Sequence, residues 1–219
     1  MTGSAPGRVL AVLDDTRAAD TLLDISCTLA QLTHRELQLV YVQSAAALAA
    51  AALPATQVLA QATARWAPLA ALDVERAWLA DADRLRTLAG QASLQRAVAW
   101  SLQVTRGTLH ETARALQAQA DLLLVGGTAF ALALAARPAP RRVIVALDDG
   151  SAAGRQAVAI AAQLCKALAA RLQVQRCDPA QGGGQGPLPR ADLIVMPGPL
   201  VGPVRTATLL ISPNPLAAG

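Results

Sequence analysis

The chain has few aromatic residues and almost no lysine. Its 219 residues include three Trp, one Tyr and one Phe, which leaves little ring surface on which unpaired bases could stack. Lys166 is the only lysine, and the arginines are scattered, with no run longer than Arg141-Arg142. A polyanion site needs clustered positive charge, so the net charge of +4 indicates a solvated surface. We therefore expect no nucleic-acid partner.

Metal-ligating and nucleophilic residues are also scarce. The three cysteines lack Cys-x-x-Cys spacing, which is typical of a protein in a reducing compartment that holds no metal. His34 and His110 are the only histidines, and Arg114 stands where a zinc-binding helix would need its next histidine after His110. No Gly-x-Ser-x-Gly elbow occurs. The sequence therefore predicts neither a metal site nor a catalytic centre.

Long uninterrupted apolar segments are absent too. The most apolar long stretch, residues 44–64, is mostly alanine and contains Pro54, so it does not predict a membrane span. Residues 1–7 lack the charged and apolar regions of a secretion signal. We expect a cytoplasmic protein without a membrane partner.

Two phrases occur twice in the chain. Arg8-Val-Leu-Ala-Val-Leu-Asp-Asp15 returns as Arg142-Val-Ile-Val-Ala-Leu-Asp-Asp149, and Ala120-Asp-Leu-Leu-Leu-Val-Gly-Gly127 returns as Ala191-Asp-Leu-Ile-Val-Met-Pro-Gly198. Each phrase is a short apolar run that ends in acidic or glycine residues, which predicts a buried parallel strand opening into a loop. Ligands bind at that edge in open α/β sheets. The repeat therefore indicates both the architecture and the place where a site would lie.

Hydrophobic periodicity predicts alternating strands and helices in both halves. The predicted strands are 9–13, 37–42, 97–104, 122–125, 143–147, 172–176, 193–196 and 208–211. The predicted helices are 16–33, 44–65 with a break near Pro54, 69–93, 108–118 with a capping box from Thr108 to Glu111, and 152–170. Residues 179–190 are too rich in Gly and Pro for either and predict a flexible loop, of which we expect residues 180–187 to be mobile and dispensable.

This order predicts an α/β protein with two mostly parallel open sheets and helices on both faces. The second copy is abbreviated, because its two repeated phrases lie closer together than those of the first. We place the first domain at 1–138 and the second at 139–219.

The predicted order resembles the universal stress protein family. Residues 9–42 are similar to its opening: a strand, an acidic residue with a small hydroxyl residue, an alanine-rich helix and a second strand. Residues 104–127 are similar to its later part, and residues 143–176 and 191–212 resemble the same family in shortened form. The resemblance implies a degenerate tandem pair with the adenine-nucleotide alpha-hydrolase-like fold.

The resemblance also implies where a nucleotide would bind. In the nucleotide-binding members the fourth strand is followed by a glycine, two residues, a second glycine, nine residues and Gly-Ser or Gly-Thr, and the N–H groups of this loop cradle phosphates. Here Gly126, with Gly127 beside it, matches the first glycine. Ala129 stands at the second glycine and Ala139-Pro140 at the last pair. Side chains and proline hinder such a cradle.

The second half departs from the pattern in the same way, with Pro197 and Leu200 at the glycine positions. The family's adenine-side acid matches Asp14 and, in the second half, Asp148, and Val42 marks the neighbouring strand end. An adenine-sized ligand could contact these residues without phosphate contacts. An acidic pair after a strand is equally typical of a helix N-cap, and both interpretations stay open.

Two functions follow from the resemblance. The first is a non-enzymatic regulatory or binding protein that has lost its phosphate loops, needs no cofactor, and acts through dimerisation and contacts with another protein. The alternative is an adenine-nucleotide-binding stress protein, for ATP or AMP, with weak or no hydrolysis. The family pairs through its final strand, here Thr208–Ile211. The resemblance therefore predicts a homodimer with residues 204–212 at the contact.

Overall fold

The chain alternates between strands and helices throughout its described part. The computed structural model describes residues 7–60, 65–127, 131, 142–177, 191–199 and 206–211. The strands are β1 Arg8–Leu13, β2 Glu36–Ser44, β3 Gln57–Ala60, β4 Arg65–Pro68, β5 Trp100–Gly107, β6 Leu122–Gly126, β7 Val143–Asp148, β8 Arg171–Arg176, β9 Leu193–Pro197 and β10 Ala207–Ile211. The helices are α1 Ala19–Thr33, α2 Ala45–Ala51, α3 Ala71–Arg96, α4 Leu109–Gln117 and α5 Ala152–Ala167.

Eight strands form one sheet in the order β5-β2-β1-β6-β10-β9-β7-β8, and β3 and β4 form a separate hairpin. Neighbours in the large sheet are parallel except β6 and β10, which are antiparallel. The prediction of an α/β protein with a mostly parallel sheet is confirmed. The prediction of two separate sheets is wrong, because β10 pairs with β6 on one side and with β9 on the other.

The antiparallel junction fixes where the strand ends lie. β1, β2, β5 and β6 run in one direction, whereas β7, β8, β9 and β10 run in the other. The carboxyl ends of the first group therefore lie at one edge of the sheet, and those of the second group lie at the opposite edge.

The two repeated first strands have equivalent neighbours. β1 lies between β2 and β6, and β7 lies between β8 and β9. The expected equivalence of Val9–Leu13 and Val143–Leu147 therefore agrees with the topology. The domain boundary near residue 138 and the loop at 179–190 lie outside the described residues, and the origin of the halves as tandem copies stays a prediction.

β10 is an interior strand. All five of its residues are buried, and main-chain pairing occupies both of its sides. Homodimerisation itself stays a prediction, but the predicted contact through Thr208–Ile211 is wrong. A second chain cannot reach this strand, because the chain's own β6 already covers the edge that was expected to be free.

In the described part of the chain, helices cover one face of the sheet and, in the first half, the other face as well. On one face α1, α3 and α5 pack over alternate strand residues such as Leu13, Leu124 and Leu209. On the other face α4 packs over Val12 and Val125. Since both faces of β1 and β6 are covered, these inner strands are continuous apolar runs rather than alternating ones.

One carboxylate also ties the second half to the helices of the first. Asp24 of α1 forms ion pairs with Arg96 at the end of α3 and with Arg142, which precedes β7. All three side chains are partly buried. The junction between the halves therefore includes a charged contact on the helical face in addition to the β6–β10 pairing.

The segment between β2 and α3 differs from the prediction. Instead of one bent helix over 44–65, it contains the short helix α2, which ends before Pro54, and the β3–β4 hairpin. Leu59 and Trp66 lie opposite each other in that hairpin. High alanine content favours a helix, but proline disfavours helical geometry in the residue before it, so the chain leaves the helix here.

Several element ends also shift, for local reasons. α1 begins three residues later than predicted, because the Asp15 carboxylate accepts a hydrogen bond from the Arg17 N–H, at 2.8 Å, and holds a turn. β5 begins later because Ala97 ends α3 in a left-handed conformation with φ of 53°. The cap at Thr108 is confirmed, since its Oγ1 accepts from the Glu111 N–H at 3.3 Å. The Glu111 carboxylate accepts from that hydroxyl at 2.7 Å rather than from the backbone.

Candidate functional site

The carboxyl end of β1 brings three of the predicted site residues together. Asp14 follows β1, and Gly126 ends the adjacent strand β6 opposite Leu13. A Cβ atom placed on Gly127 would lie 2.9 Å from Asp14 Oδ1 and 2.5 Å from a methyl of Leu109. The Asp14 carboxylate and the start of α4 thus close directly against the Gly127 backbone, and a larger residue there would have to displace the side chains of Asp14 and Leu109.

A small depression lies at this strand end. It holds about 170 Å³ of space not filled by atoms, open solvent included. Its lining residues are Leu13, Asp15, Ala18, Leu22, Gly126 and Gly127. Sites for small molecules usually enclose about 300–1,000 Å³. Among the described residues, the depression is therefore smaller than a usual small-molecule site, and Leu22 limits it, because a Cβ atom on Gly126 would lie 2.6 Å from a Leu22 methyl.

A buried hydrogen-bond network lies beside the depression. Asp81 of α3 accepts a hydrogen bond from Thr16 Oγ1 at 2.7 Å and another from the Tyr41 hydroxyl at 3.1 Å. Thr16 and Tyr41 are 5% and 2% exposed. Neither of these two contacts is marked by a motif in the sequence. The one signal of the network was an acidic residue at helical spacing from the apolar positions Trp78 and Leu85.

Burial and the neighbouring negative charge of Asp81 raise the pKa of Tyr41 well above its usual value. The phenol therefore stays protonated and serves as a fixed donor to Asp81. A group held in this way is neither a base nor a nucleophile near neutral pH. The network positions α3 against β1 and β2, which is a structural role.

Asp15 is occupied as well. Both of its oxygens accept from Arg17, with Nε to Oδ1 at 3.1 Å and Nη2 to Oδ2 at 2.5 Å. The hydrogen bond to Asp15 raises the pKa of Arg17. This bidentate pair neutralises the carboxylate locally, so Asp15 contributes little charge to the depression.

Val42 does not lie at a strand end. β2 continues past it to Ser44. The side chain of Val42 is buried among Val12, Val125 and neighbouring apolar residues beneath α4. The expectation that Val42 marks an accessible strand end is therefore wrong, because the strand is longer than its apolar pattern indicated.

Asp148 lies at the opposite edge of the sheet and shares no site with Asp14. Its Oδ1 accepts from the Gly150 N–H at 2.9 Å, and Asp149 Oδ1 accepts from the Ser151 N–H at 3.0 Å. The hydrogen bond from Ser151 lowers the pKa of Asp149. Ser151 itself caps α5 by accepting from the Gly154 N–H at 3.0 Å. The acidic pair thus forms the turn before the helix, and the N-cap is the serine.

The positive end of α5 is already compensated. A Cβ atom placed on Gly154 would lie 3.0 Å from Asp148 Oδ1 and closer still to Asp149 Oδ1. Helix N-termini attract anions through their exposed N–H groups and the helix dipole. Two carboxylates at the first turn satisfy that field, so a phosphate would meet negative charge there.

The start of the predicted second cradle is used for internal bonds. Pro197 ends β9 and carries no N–H group. The Gly198 N–H donates to the Ile211 carbonyl at 3.1 Å, and the Gly198 carbonyl accepts from Gln117 Nε2 at 3.0 Å. These bonds connect β9 to β10 and α4. Leu200 lies outside the described residues, as do the first-half positions Ala129 and Ala139-Pro140.

Within the described ranges, no group of three or more His, Cys, Asp or Glu side chains is arranged to hold a metal ion. Among the described residues, the Nδ1 atom of His110 is buried and has no hydrogen-bond partner. No helix in the described part of the chain is both long enough and apolar enough to cross a membrane.

No protein-family model matches this chain, and no curated protein is significantly similar to it. The resemblance to universal stress proteins therefore stays a prediction.

Proposed function

We propose that this chain is a non-enzymatic binding or regulatory protein of the universal stress type, which acts through protein contacts and self-association and does not require a nucleotide. One observation carries the proposal: the strand-end groups that a nucleotide would need already make contacts within the protein. Asp14 lies against Gly127, and the Gly198 N–H bonds to Ile211. A ligand would have to displace these contacts before it could bind.

The thiols also support a protein without covalent catalysis. Burial raises the pKa of Cys27 and of Cys165. Burial, together with the charges of Asp149 and Asp148, raises the pKa of Cys177. Because the thiolate is the reactive form, these cysteines stay protonated and unreactive near neutral pH. All three are free, which supports a reducing compartment and hence a cytoplasmic location as part of the proposal.

Exposed apolar side chains support a role in protein contacts. They concentrate on the chain between β2 and the middle of α3, where Leu53, Leu59, Trp66, Leu72 and Leu79 are all more than half or about half exposed. Trp66 alone is 68% exposed. Leu59 and Trp66 lie opposite each other in the β3–β4 hairpin, and adjoining exposed apolar side chains favour a contact with another protein.

The alternative is an adenine-nucleotide-binding protein, and one observation favours it. Asp14, Gly126 and Gly127 do meet at the carboxyl end of adjacent strands, which is where ligands bind in open α/β sheets. In this alternative, Asp14 would move away from Gly127 when the ligand binds.

A thermal-shift screen with ATP, ADP and AMP separates the two functions. A ligand at 100 times its dissociation constant stabilises by about 2.7 kcal/mol, which corresponds to a shift of roughly 5–11 °C for a protein of this size. We expect no shift with any of the three. A shift that is lost in Asp14→Asn but kept in the matched control Asp148→Asn would establish the alternative and overturn the proposal.

A further inference from the structure

β8 ends the sheet and is less well covered than its counterpart in the first half. β2 has β1 on one side and β5 on the other, whereas β8 has β7 on one side and no described strand on the other. The consequence is visible at one pair of matching positions. Val174 of β8 is 47% exposed, but Leu39 of β2 is fully buried.

The chain itself shows what kind of strand covers such a sequence. β2 contains Leu37-Gln38-Leu39, and the strand that covers it, β5, contains Leu102-Gln103-Val104. Leu39 lies opposite Leu102, and on the other face Gln38 Nε2 donates to Gln103 Oε1 at 3.0 Å. β8 carries the same pattern as Leu172-Gln173-Val174. A second Leu-Gln-Val strand is therefore a partner that fits β8 on both faces.

The sequence that follows β8 is unsuited to supply this strand. Residues 179–190 include four glycines and three prolines. Proline cannot donate to a strand ladder, and glycine weakens one. We therefore look to another chain for a partner strand, and a second copy of this chain supplies one with the Leu-Gln-Val pattern.

We propose that two copies of this chain associate through their β8 strands, paired antiparallel about a twofold axis. With Gln173 opposite its own equivalent, Leu172 of each copy faces Val174 of the other. Apolar cross-strand pairs of this kind stabilise a sheet. If the register changed by one residue, so that Gln173 of one copy lay opposite Val174 of the other, Arg171 would lie opposite Arg176. Like charges in direct opposition are destabilising.

The twofold arrangement also closes the assembly. Pairing β8 of one copy with β5 of the next would be head-to-tail, since these strands lie at opposite ends of the sheet, and repeated contacts of that kind generate filaments. Pairing β8 with β8 uses the same surface on both copies and ends at a dimer. The inference rests on the self-association in the proposed function. The nucleotide screen does not depend on it, so either can fail alone.

Light scattering on the purified chain at tens of micromolar tests this interface. We expect a dimer, and we expect Val174→Lys to reduce the molar mass to that of one chain while its circular dichroism spectrum stays that of the wild type. The matched control is Val104→Lys, which changes the same motif at the other edge, where Val104 is 38% exposed, and should stay dimeric. The proposal is overturned if the wild type is monomeric or forms particles larger than a dimer. It is also overturned if Val104→Lys is monomeric while Val174→Lys stays dimeric.

A cross-link provides a second readout that does not depend on the stability of the lysine variant. Directly opposite Cα atoms in an antiparallel pair are about 4.5–5.5 Å apart, which is within disulfide range. In a Cys177→Ser background, Gln173→Cys should form covalent dimers on mild oxidation, whereas the control Gln103→Cys should not. Equal cross-linking of both variants, or none of Gln173→Cys, would overturn the twofold β8 contact.

Discussion

Replacing Leu209 with alanine tests the strand order at the centre of the sheet. Leu209 of β10 lies opposite Leu124 of β6 and Val195 of β9, and it is fully buried. Removing a buried leucine side chain costs about 2–5 kcal/mol, depending on how far the cavity collapses. For a single cooperative unit of this size, each kcal/mol lowers the melting temperature by about 2–4 °C. We therefore expect Leu209→Ala to melt roughly 4–20 °C below the wild type.

The assay is thermal unfolding followed by circular dichroism and by calorimetry. The matched control is Leu94→Ala on α3, where the leucine is 84% exposed and its loss should cost no more than about 0.5 kcal/mol. Because β6 and β10 join both halves into one sheet, we expect wild type and variant each to unfold in a single transition. The central position of β10 is refuted if Leu209→Ala and Leu94→Ala have the same melting temperature. It is also refuted if two transitions appear and the substitution lowers the melting temperature of only one of them.

Two further substitutions test polar contacts in the first half. The pKa of Tyr41 is raised in the folded protein, so its contribution to stability is complete below pH about 10, the value for free tyrosine, and declines as the pH rises further. Tyr41→Phe should flatten that decline in urea unfolding above about pH 10, and parallel curves for both proteins would contradict the assignment. Asp24→Asn should lose about 1–2 kcal/mol in the same assay, because two arginines lose a partly buried charged partner. The exposed ion pair of Asp83 supplies the control, since Asp83→Asn should cost under about 1 kcal/mol, and equal losses would show that Asp24 does not tie the halves together.

The strands could be predicted because their sequences report their burial. β6 and β10 are apolar on both faces, and such runs are typical of covered strands. Their antiparallel contact could not be predicted, because an apolar run contains no information about the direction of its neighbour. The two-sheet expectation followed from treating each half as complete, whereas the single sheet depends on a contact between the halves.

The hairpin was missed for a related reason. The flanks of β3 are rich in alanine, which has the highest helix propensity, and Leu59 and Trp66 are exposed on the hairpin. Without a buried face, the two short strands have no alternation of apolar and polar residues to mark them. Local propensity therefore gave the wrong answer where tertiary packing does not impose a pattern.

At the carboxyl end of β1, the contacts that could be predicted are those between residues that directly follow neighbouring strands. Asp14 and Gly127 follow neighbouring strands, so their meeting could be expected from the repeated phrases. Asp81 meets Thr16 across 65 positions of the chain, from the interior of a 26-residue helix. No short motif contains both residues, and only the docking of α3 brings them together.

The position of β10 also has a consequence for synthesis of the chain. β6 is complete near residue 126, but the strand that covers its open edge is made last among the described elements, about 85 residues later. At a translation rate of about 5–20 residues per second, this delay lasts roughly 4–17 s. During that time an apolar strand edge stays open to pairing with other nascent chains. The protein is therefore most exposed to aggregation while it is being made, and truncation anywhere after β6 and before β10 leaves that edge permanently uncovered.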